Sequence, residues 1–331
     1  MGAAVEIHKI NHIGVAGAGA WGTALAQVAA MAGRRVTIWA NRAELASEIN
    51  SHHRNERFLP GRLLAPEVVG VDDPARLEGC DALLIACPAQ PLRQALSSMG
   101  RLRVPAAICA KGMESGTGLL MQEVAAAAQP GSVFGILSGP GFADEVVRGL
   151  PCAVTIAFDD TQIATQFCEA LGVGGFRPYA SGDVVGVAVG GAVKNVLAIA
   201  CGVVEGRELG ESARAAVMTR GFAEMARFGQ ALGARLETMT GLSGFGDLVL
   251  TASSRQSRNF ALGVQLARGE VAHGRAPLAE GAATASALVR RARALGIQMP
   301  IAEAVAGIVS GDIDVDTAIR ALLSRPLKSE H

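Results

Sequence analysis

Apolar runs and helical stretches alternate along the first half of the chain. The run "HIGVA" (His12 to Ala16) stops at Gly17, an Ala- and Leu-rich stretch with helical spacing continues to Gly33, and "RRVTIWA" returns with the alternation of a strand. This predicts one βαβ unit of about thirty residues. Further strand-like runs are "DALLIACP" (81–88), "PAAICAKG" (105–112), "SVFGILSGP" (132–140) and "PCAVTIAF" (151–158), with helical stretches such as "LLMQEVAAAAQ" and "TQIATQFCEAL" among them. Alternation of this kind predicts a mostly parallel sheet covered by helices on both faces. After about Gly182 the strand signals cease. The pattern is then helical to the end, broken at "GRELGESARAA", "GLSGFGD" and "SGDIDVD". The predicted class is an α/β N-terminal domain, residues 1–185, followed by an all-α C-terminal domain, residues 186–331.

One stretch departs from amphipathic patterning. Val184 to Val204 contains no charge except Lys194. Its length would reach across a bilayer, but a central lysine costs about 2.5–3.5 kcal/mol there, Ala and Gly transfer only weakly, and aromatic anchors are missing at both ends. It is read as a buried helix of a soluble protein, where a cation must find a partner or a task.

Composition narrows the function classes. The chain of 331 residues is 50% hydrophobic, enough for two cores, and its 30 basic residues balance 30 acidic ones. No net field draws it to nucleic acid or to an anionic membrane surface, so any cationic site is local. The cysteines, Cys80, Cys87, Cys109, Cys152, Cys168 and Cys201, form no C-x-x-C pair and read as reduced structural thiols. The N-terminus carries no secretion-signal pattern, and a cytoplasmic protein is expected. His8, His12, His52, His53, His273 and His331 show no metal-ligand spacing, so no metal is expected.

Gly17-Ala18-Gly19-Ala20-Trp21-Gly22 is G-x-G-x-x-G placed between a strand and a helix. In that context it predicts a Rossmann dinucleotide site. Gly17 permits the tight turn, Gly19 lets a pyrophosphate approach the backbone, and Gly22 lets helix pack on strand. The pyrophosphate would rest on free N–H groups at the helix N-terminus. At the end of the second strand, "IWANRAE" offers Asn41 and Arg42 and no carboxylate before Glu44, which lies in the next helix. Arg42 could clamp a 2′-phosphate, or be only a solvated helix-start charge. The cofactor is expected to be NAD or NADP, with Pro88 in "IACPAQP" shaping the loop beside it.

Lys111 follows a buried strand at the carboxyl end of the sheet, where such folds bind ligands. Asp247, Ser257, Arg258 and Asn259 lie close together downstream of Lys194. A lysine in an apolar helix, a carboxylate to orient it and an Arg/Asn/Ser group suited to phosphate oxygens suggest a small anionic substrate. Lys111 and Arg258 could instead be solvated charges, and Asp247 a helix cap. The paired glycines Gly190 and Gly191 suggest close approach of helix backbone and substrate.

"GAGAWGTALA", "FLP" (58–60), "AKGMESGTG", "LSGPGFADE", "GGAVKNVLAIACG", "TRGFAEMARFG", "GLSGFGDLVLT" and "QSRNFALG" occur in this order through almost the whole chain. Together they resemble the bacterial NAD(P)-dependent sn-glycerol-3-phosphate dehydrogenases. The resemblance implies reversible reduction of dihydroxyacetone phosphate to sn-glycerol 3-phosphate, a phospholipid precursor, between a Rossmann domain and a helical domain. It implies Lys194 as general acid/base and a substrate pocket of Lys111, Gly139, Gly141, Asn195, Asp247, Ser257, Arg258 and Asn259. It further implies cofactor contacts at Gly17, Gly19, Ala20, Trp21, Gly22, Asn41, Arg42, Phe58, Pro88, Lys111, Ala143, Arg258, Leu278 and Glu280. The expected partners are a small-molecule substrate and a second copy of the chain in a homodimer, with neither nucleic acid nor membrane insertion.

Two positions depart from the family pattern. Gly141 stands where a Ser or Thr hydroxyl would touch substrate, and Ala89 where a serine is common. Both predict altered affinity rather than lost activity. The rival readings are a reductase of a hydroxy acid or ketopantoate type, which needs no phosphate grip, and a non-catalytic NADP-binding protein.

Overall fold

The computed structural model describes residues 9–270 and 279–326. Eight strands form one sheet: β1 (His12–Ala16), β2 (Arg35–Trp39), β3 (Val68–Val71), β4 (Ala82–Ile85), β5 (Ala106–Ile108), β6 (Phe134–Ser138), β7 (Cys152–Ala157) and β8 (Phe176–Ser181). Their order is β3-β2-β1-β4-β5-β6-β7-β8. All neighbours are parallel except β6 and β7, which run antiparallel with Ser138 opposite Thr155. The order reverses between β1 and β4. The carboxyl ends of those strands therefore open a crevice suited to a ligand.

The central strands are apolar on both faces because helices cover both. Ile13, Val15, Leu83, Leu84, Ile85 and Ala107 are all buried. The helices here are α1 (Ala20–Met31), α2 (Ala43–His52), α3 (Leu92–Ser98), α4 (Met121–Ala128), α5 (Ala143–Val147) and α6 (Thr161–Leu171). Two strands, β3 and β8, carry no clear signal in the sequence, and both are sheet edges. Gly70 in "VVGV" and Pro178 in "FRPYAS" are tolerated there because an edge strand needs fewer ladder bonds and less buried surface.

Beyond Ser181 the described chain is helical: α7 (Val184–Gly206), α8 (Glu211–Ala231), α9 (Leu236–Thr240), α10 (Asp247–Ala252), α11 (Arg258–Ala267), α12 (Glu280–Ala294), α13 (Pro300–Ser310) and α14 (Val315–Leu323). A single π turn, Leu242–Gly246, leads directly into α10. Asp183 starts α7 by accepting the Gly186 N–H at 2.8 Å, and its other oxygen accepts from Arg235 N at 2.9 Å.

Helix α7 is the axle of this half, packed against α8, α10, α11, α12, α13 and the sheet strand β6. A helix apolar all round is stable only when surrounded. Each Val, Leu or Ile it buries contributes about 1.5–3 kcal/mol against exposure. Helices α7 and α11 meet backbone to backbone, since a Cβ on Gly202 would collide with the Phe260 carbonyl and one on Gly263 with that of Ile199. Among the described residues α7 is the one helix long and apolar enough to cross a membrane, and 89% of its apolar window is buried inside the protein.

Candidate active site

The glycine turn is built as its spacing demands. Gly17 has φ +117°, and a Cβ there would sit 2.9 Å from the Ala86 carbonyl carbon at the end of β4. A Cβ on Gly22 would collide with the Gly17 carbonyl, whereas one on Gly19 would meet nothing within 4 Å. Gly19 therefore opens onto free space at the mouth of α1, whose first turn has no side-chain cap. Its leading N–H groups are free for an anion.

Asn55, which no motif announces, fixes this turn. Its amide donates to Ala18 O at 3.0 Å and to Thr23 Oγ1 at 2.7 Å, while its Oδ1 accepts from Phe58 N at 3.3 Å. Phe58 is 42% exposed, with the Arg57 guanidinium over its ring at 5.6 Å. Asn41, Arg42 and Pro88 are exposed along the same carboxyl edge, and Ala143 opens α5, which packs on α1. The Trp21 Nε1–H is buried without a partner, and the Lys111 ammonium stands over its ring at 6.0 Å. An open glycine turn, free helix N–H groups and an unpaired indole donor fit a dinucleotide.

The charged centre lies where β5, β6, α7 and α10 converge. Lys194 is 7% exposed and Asp247 1% exposed. The Lys194 ammonium donates to Asp247 Oδ1 at 2.9 Å and to Thr251 Oγ1 at 2.7 Å. Lys111, three residues past β5, donates to Asp247 Oδ2 at 2.6 Å and to Gly139 O at 3.0 Å. One carboxylate thus holds two ammonium groups, one on each oxygen. Asp247 is the first residue of α10 and caps nothing: the N-cap residue is Gly246.

Burial pushes the Lys194 ammonium down to about 8, with Asp247 opposing and Lys111 assisting the fall. Burial alone would raise Asp247, but Lys111 and Lys194 outweigh it and hold the carboxyl below its ordinary value. The paired glycines let neighbouring segments pack closely on α7. A Cβ on Gly190 would lie 2.5 Å from Ser243 O, and one on Gly191 2.9 Å from Ser138 Oγ and 3.4 Å from the Lys111 side chain.

The "SRN" cluster divides its labour. Ser257 caps α11, accepting from Phe260 N at 3.2 Å. Asn259 is internal: its Nδ2 donates to Asn195 Oδ1 at 2.9 Å, and its Oδ1 accepts from Gly281 N at 2.9 Å. Asn195 is buried and sends its own amide only weakly to Gly191 O, at 3.4 Å. Of the three cluster residues, Arg258 alone is exposed. Glu280 heads α12 and accepts the Ala89 N–H across the crevice, and burial raises its carboxyl against the pull of Arg258, Lys194 and Lys111. Leu278 lies outside the described residues.

A family model described as NAD-dependent glycerol-3-phosphate dehydrogenase N-terminus matches residues 12–164, and its C-terminus counterpart matches 183–320. The chain belongs to the NAD-dependent glycerol-3-phosphate dehydrogenase family. It is 55% identical to the glycerol-3-phosphate dehydrogenase (NAD(P)+) of Rhodospirillum rubrum over 97% of this chain and 94% of that one. With its namesake in Parvibaculum lavamentivorans it shares 53% identity over 96% and 98%. The crystal structure of the Coxiella burnetii glycerol-3-phosphate dehydrogenase is 34% identical, covers 96% of this chain and 100% of that one, and superposes with a TM-score of 0.89. A ketopantoate reductase from Ralstonia eutropha, 18% identical over 93% of this chain and 99% of that one with a TM-score of 0.58, shares the fold alone.

For a glycerol-3-phosphate dehydrogenase family member, two residues of the centre escaped the motif reading. Thr251 lies one helical turn after Asp247, on the same face, and that four-residue spacing was the available signal. Ser138 ends β6 with its hydroxyl buried and unpaired beside Gly191, and nothing in "LSGP" foretells it.

Proposed function

We propose that the crevice between the glycine turn and α7 reduces dihydroxyacetone phosphate reversibly to sn-glycerol 3-phosphate, with Lys194 as the acid/base. The observation that carries this assignment is the buried Lys194–Asp247–Lys111 bridge set beside a dinucleotide turn. Gly17, Gly19, Ala20, Trp21 and Gly22 would hold the pyrophosphate side of NAD or NADP, and Asn41, Arg42, Phe58, Pro88, Ala143, Arg258 and Glu280 would line the remainder. Bound there, the reduced nicotinamide supplies the hydride.

Lys194 holds a proton on Nζ, oriented by Asp247 and Thr251, and can donate it to an alkoxide developing on the substrate carbonyl. Its value of about 8 makes it mostly charged at pH 7, ready for reduction, yet able to accept a proton in the oxidation above that pH. Lys111 adds positive charge at the reacting end. Arg258, exposed beside Glu280, grips the phosphate, while Ser257 and Asn259 fix the helix from which it reaches. Holding the remote phosphate orients the carbonyl carbon, which can supply several kcal/mol. We further propose that the chain works in the cytoplasm as a homodimer, divided near residue 185 into cofactor and substrate domains, with glycerol 3-phosphate going to phospholipid synthesis.

The test follows absorbance at 340 nm with dihydroxyacetone phosphate and NADH or NADPH. Oxidation of the reduced cofactor, competitively inhibited by inorganic phosphate, is expected, with Arg258→Ala raising the substrate KM about tenfold or more for the lost charged bond. Cofactor binding without absorbance change would defeat the assignment. A preference for a carboxylate-ended ketone, indifferent to phosphate, would move it to the hydroxy-acid reductases.

A further inference from the structure

The loop after β6 lies flat on β7. Gly139 has φ +152°, and a Cβ there would sit 2.7 Å from the Val154 Cα. Two successive carbonyls of this loop are engaged by side chains from outside it. Gly139 O accepts from Lys111 Nζ at 3.0 Å, and Pro140 O accepts from Cys152 Sγ–H at 3.1 Å. The third residue, Gly141, leaves a space that the same thiol fills. A Cβ on Gly141 would lie 2.9 Å from Cys152 Sγ and 3.3 Å from the Trp21 ring, over which the Lys111 ammonium stands. A serine there would turn the thiol away and release Pro140 O.

We propose that Cys152 is a positioning residue for the reduction, its thiol pinning Pro140 so that the neighbouring Gly139 carbonyl holds Lys111 against Asp247. This rests on the functional reading above. Burial pushes the thiol up to about 11, with Lys111 opposing and Asp247 assisting, so near neutral pH it stays an S–H donor and is not a nucleophile. The thiol thus feels the same two charges that its loop arranges. An S–H bond is weak, so the expected effect is graded: it loosens the grip on substrate without removing the acid.

The experiment measures KM and kcat for dihydroxyacetone phosphate in the full-length protein. Cys152→Ala should raise the substrate KM about three- to tenfold, leaving kcat and the cofactor KM within about twofold. Cys152→Ser, which keeps a donor, should stay near wild type. In a Lys111→Met background Cys152→Ala should add nothing further, because its effect passes through Lys111. Should Cys152→Ala not fold, Cys152→Val carries the test: it fills the space of the thiol without a donor and should raise the substrate KM to a similar degree. An unchanged KM in Cys152→Ala, or in Cys152→Val where that variant carries the test, overturns the proposal. So does a serine variant as impaired as alanine, or an undiminished effect in the Lys111→Met background. A wild type inactive on dihydroxyacetone phosphate sinks the functional reading, whereas an active wild type with an indifferent Cys152→Ala sinks this one alone.

Discussion

Two carboxylates in the helical half are hidden almost equally, Asp247 at 1% and Glu224 at 2% exposure, yet their proton affinities move in opposite directions. Asp247 faces the ammonium groups of Lys111 and Lys194 at 2.6 and 2.9 Å and is held below its ordinary value. Glu224, on α8, caps the start of α13 by accepting from Ile301 N at 2.9 Å and Ala302 N at 3.2 Å. Burial pushes it up to about 7 despite those two bonds, and among charges Arg227 lowers it while Glu303 raises it. The lesson is that burial alone favours the neutral acid, and only full charges close by reverse it. Peptide N–H groups are enough to end a helix. They are not enough to keep a carboxylate ionised in the dark of a core.

The largest effect expected from breaking this contrast is at Asp247. Asp247→Asn leaves two ammonium groups facing a neutral amide, so Lys194 should titrate below about 8. Removing one partner of a buried ion pair costs about 3–5 kcal/mol, and kcat for reduction should fall at least 100-fold, to be read from turnover and a melting curve. Lys194→Ala should lose about 10²–10⁴ in kcat with the cofactor dissociation constant nearly unchanged. Turnover at the wild-type level in that variant would remove Lys194 from its role.

Thr251→Val sharpens the comparison with a smaller change. The hydroxyl accepts from Lys194 at 2.7 Å and donates to Asp247 Oδ1 at 3.1 Å, so its loss removes about 1.5–3 kcal/mol of charged hydrogen bonding. In wild type, reduction should decline and oxidation improve as pH rises through about 8. In Thr251→Val both limbs should shift to lower pH. An unmoved profile would show that the hydroxyl does not hold the proton.

The smallest effect is at Glu224, where the sign of the pH dependence distinguishes the two sites. Glu224 goes from 4.5 when unfolded to about 7 when folded, so its stabilising share is full below pH 4.5 and is lost as pH rises through 7. Asp247 behaves oppositely: its share is present above its ordinary 3.8 and is lost in more acid solution. Glu224→Gln should remove about 1–3 kcal/mol of the fall in stability between pH 5 and 8, read as a smaller drop in melting temperature, with turnover unchanged. A wild-type melting temperature that rises across that window, unaffected by the glutamine, would contradict this account.

Legibility followed local constraint. The βαβ opening, the glycine turn and the break between sheet and helices were readable, because turn geometry and hydrophobic period act over a few residues. Strands β3 and β8 were not, because an edge strand is held by its one neighbour more than by its own pattern. Asn55 and Ser138 were silent for a similar reason: a lone polar residue acquires its meaning from what the fold brings against it.

By itself the sequence determined that a dinucleotide turn precedes a helical half, and that one lysine, Lys194, lies inside its most apolar segment. Glycines fix backbone turns and hydrophobic spacing fixes faces, and both are local properties of the chain. Only the tertiary structure decided that Asp247 bridges Lys194 to Lys111, 136 residues away along the chain from Asp247. Only it turned Asn259 inward while Arg258 stayed exposed, and set the Cys152 thiol against the missing side chain of Gly141. These are matters of distances between remote segments, and a Coulomb or hydrogen-bond energy is defined only once those distances exist.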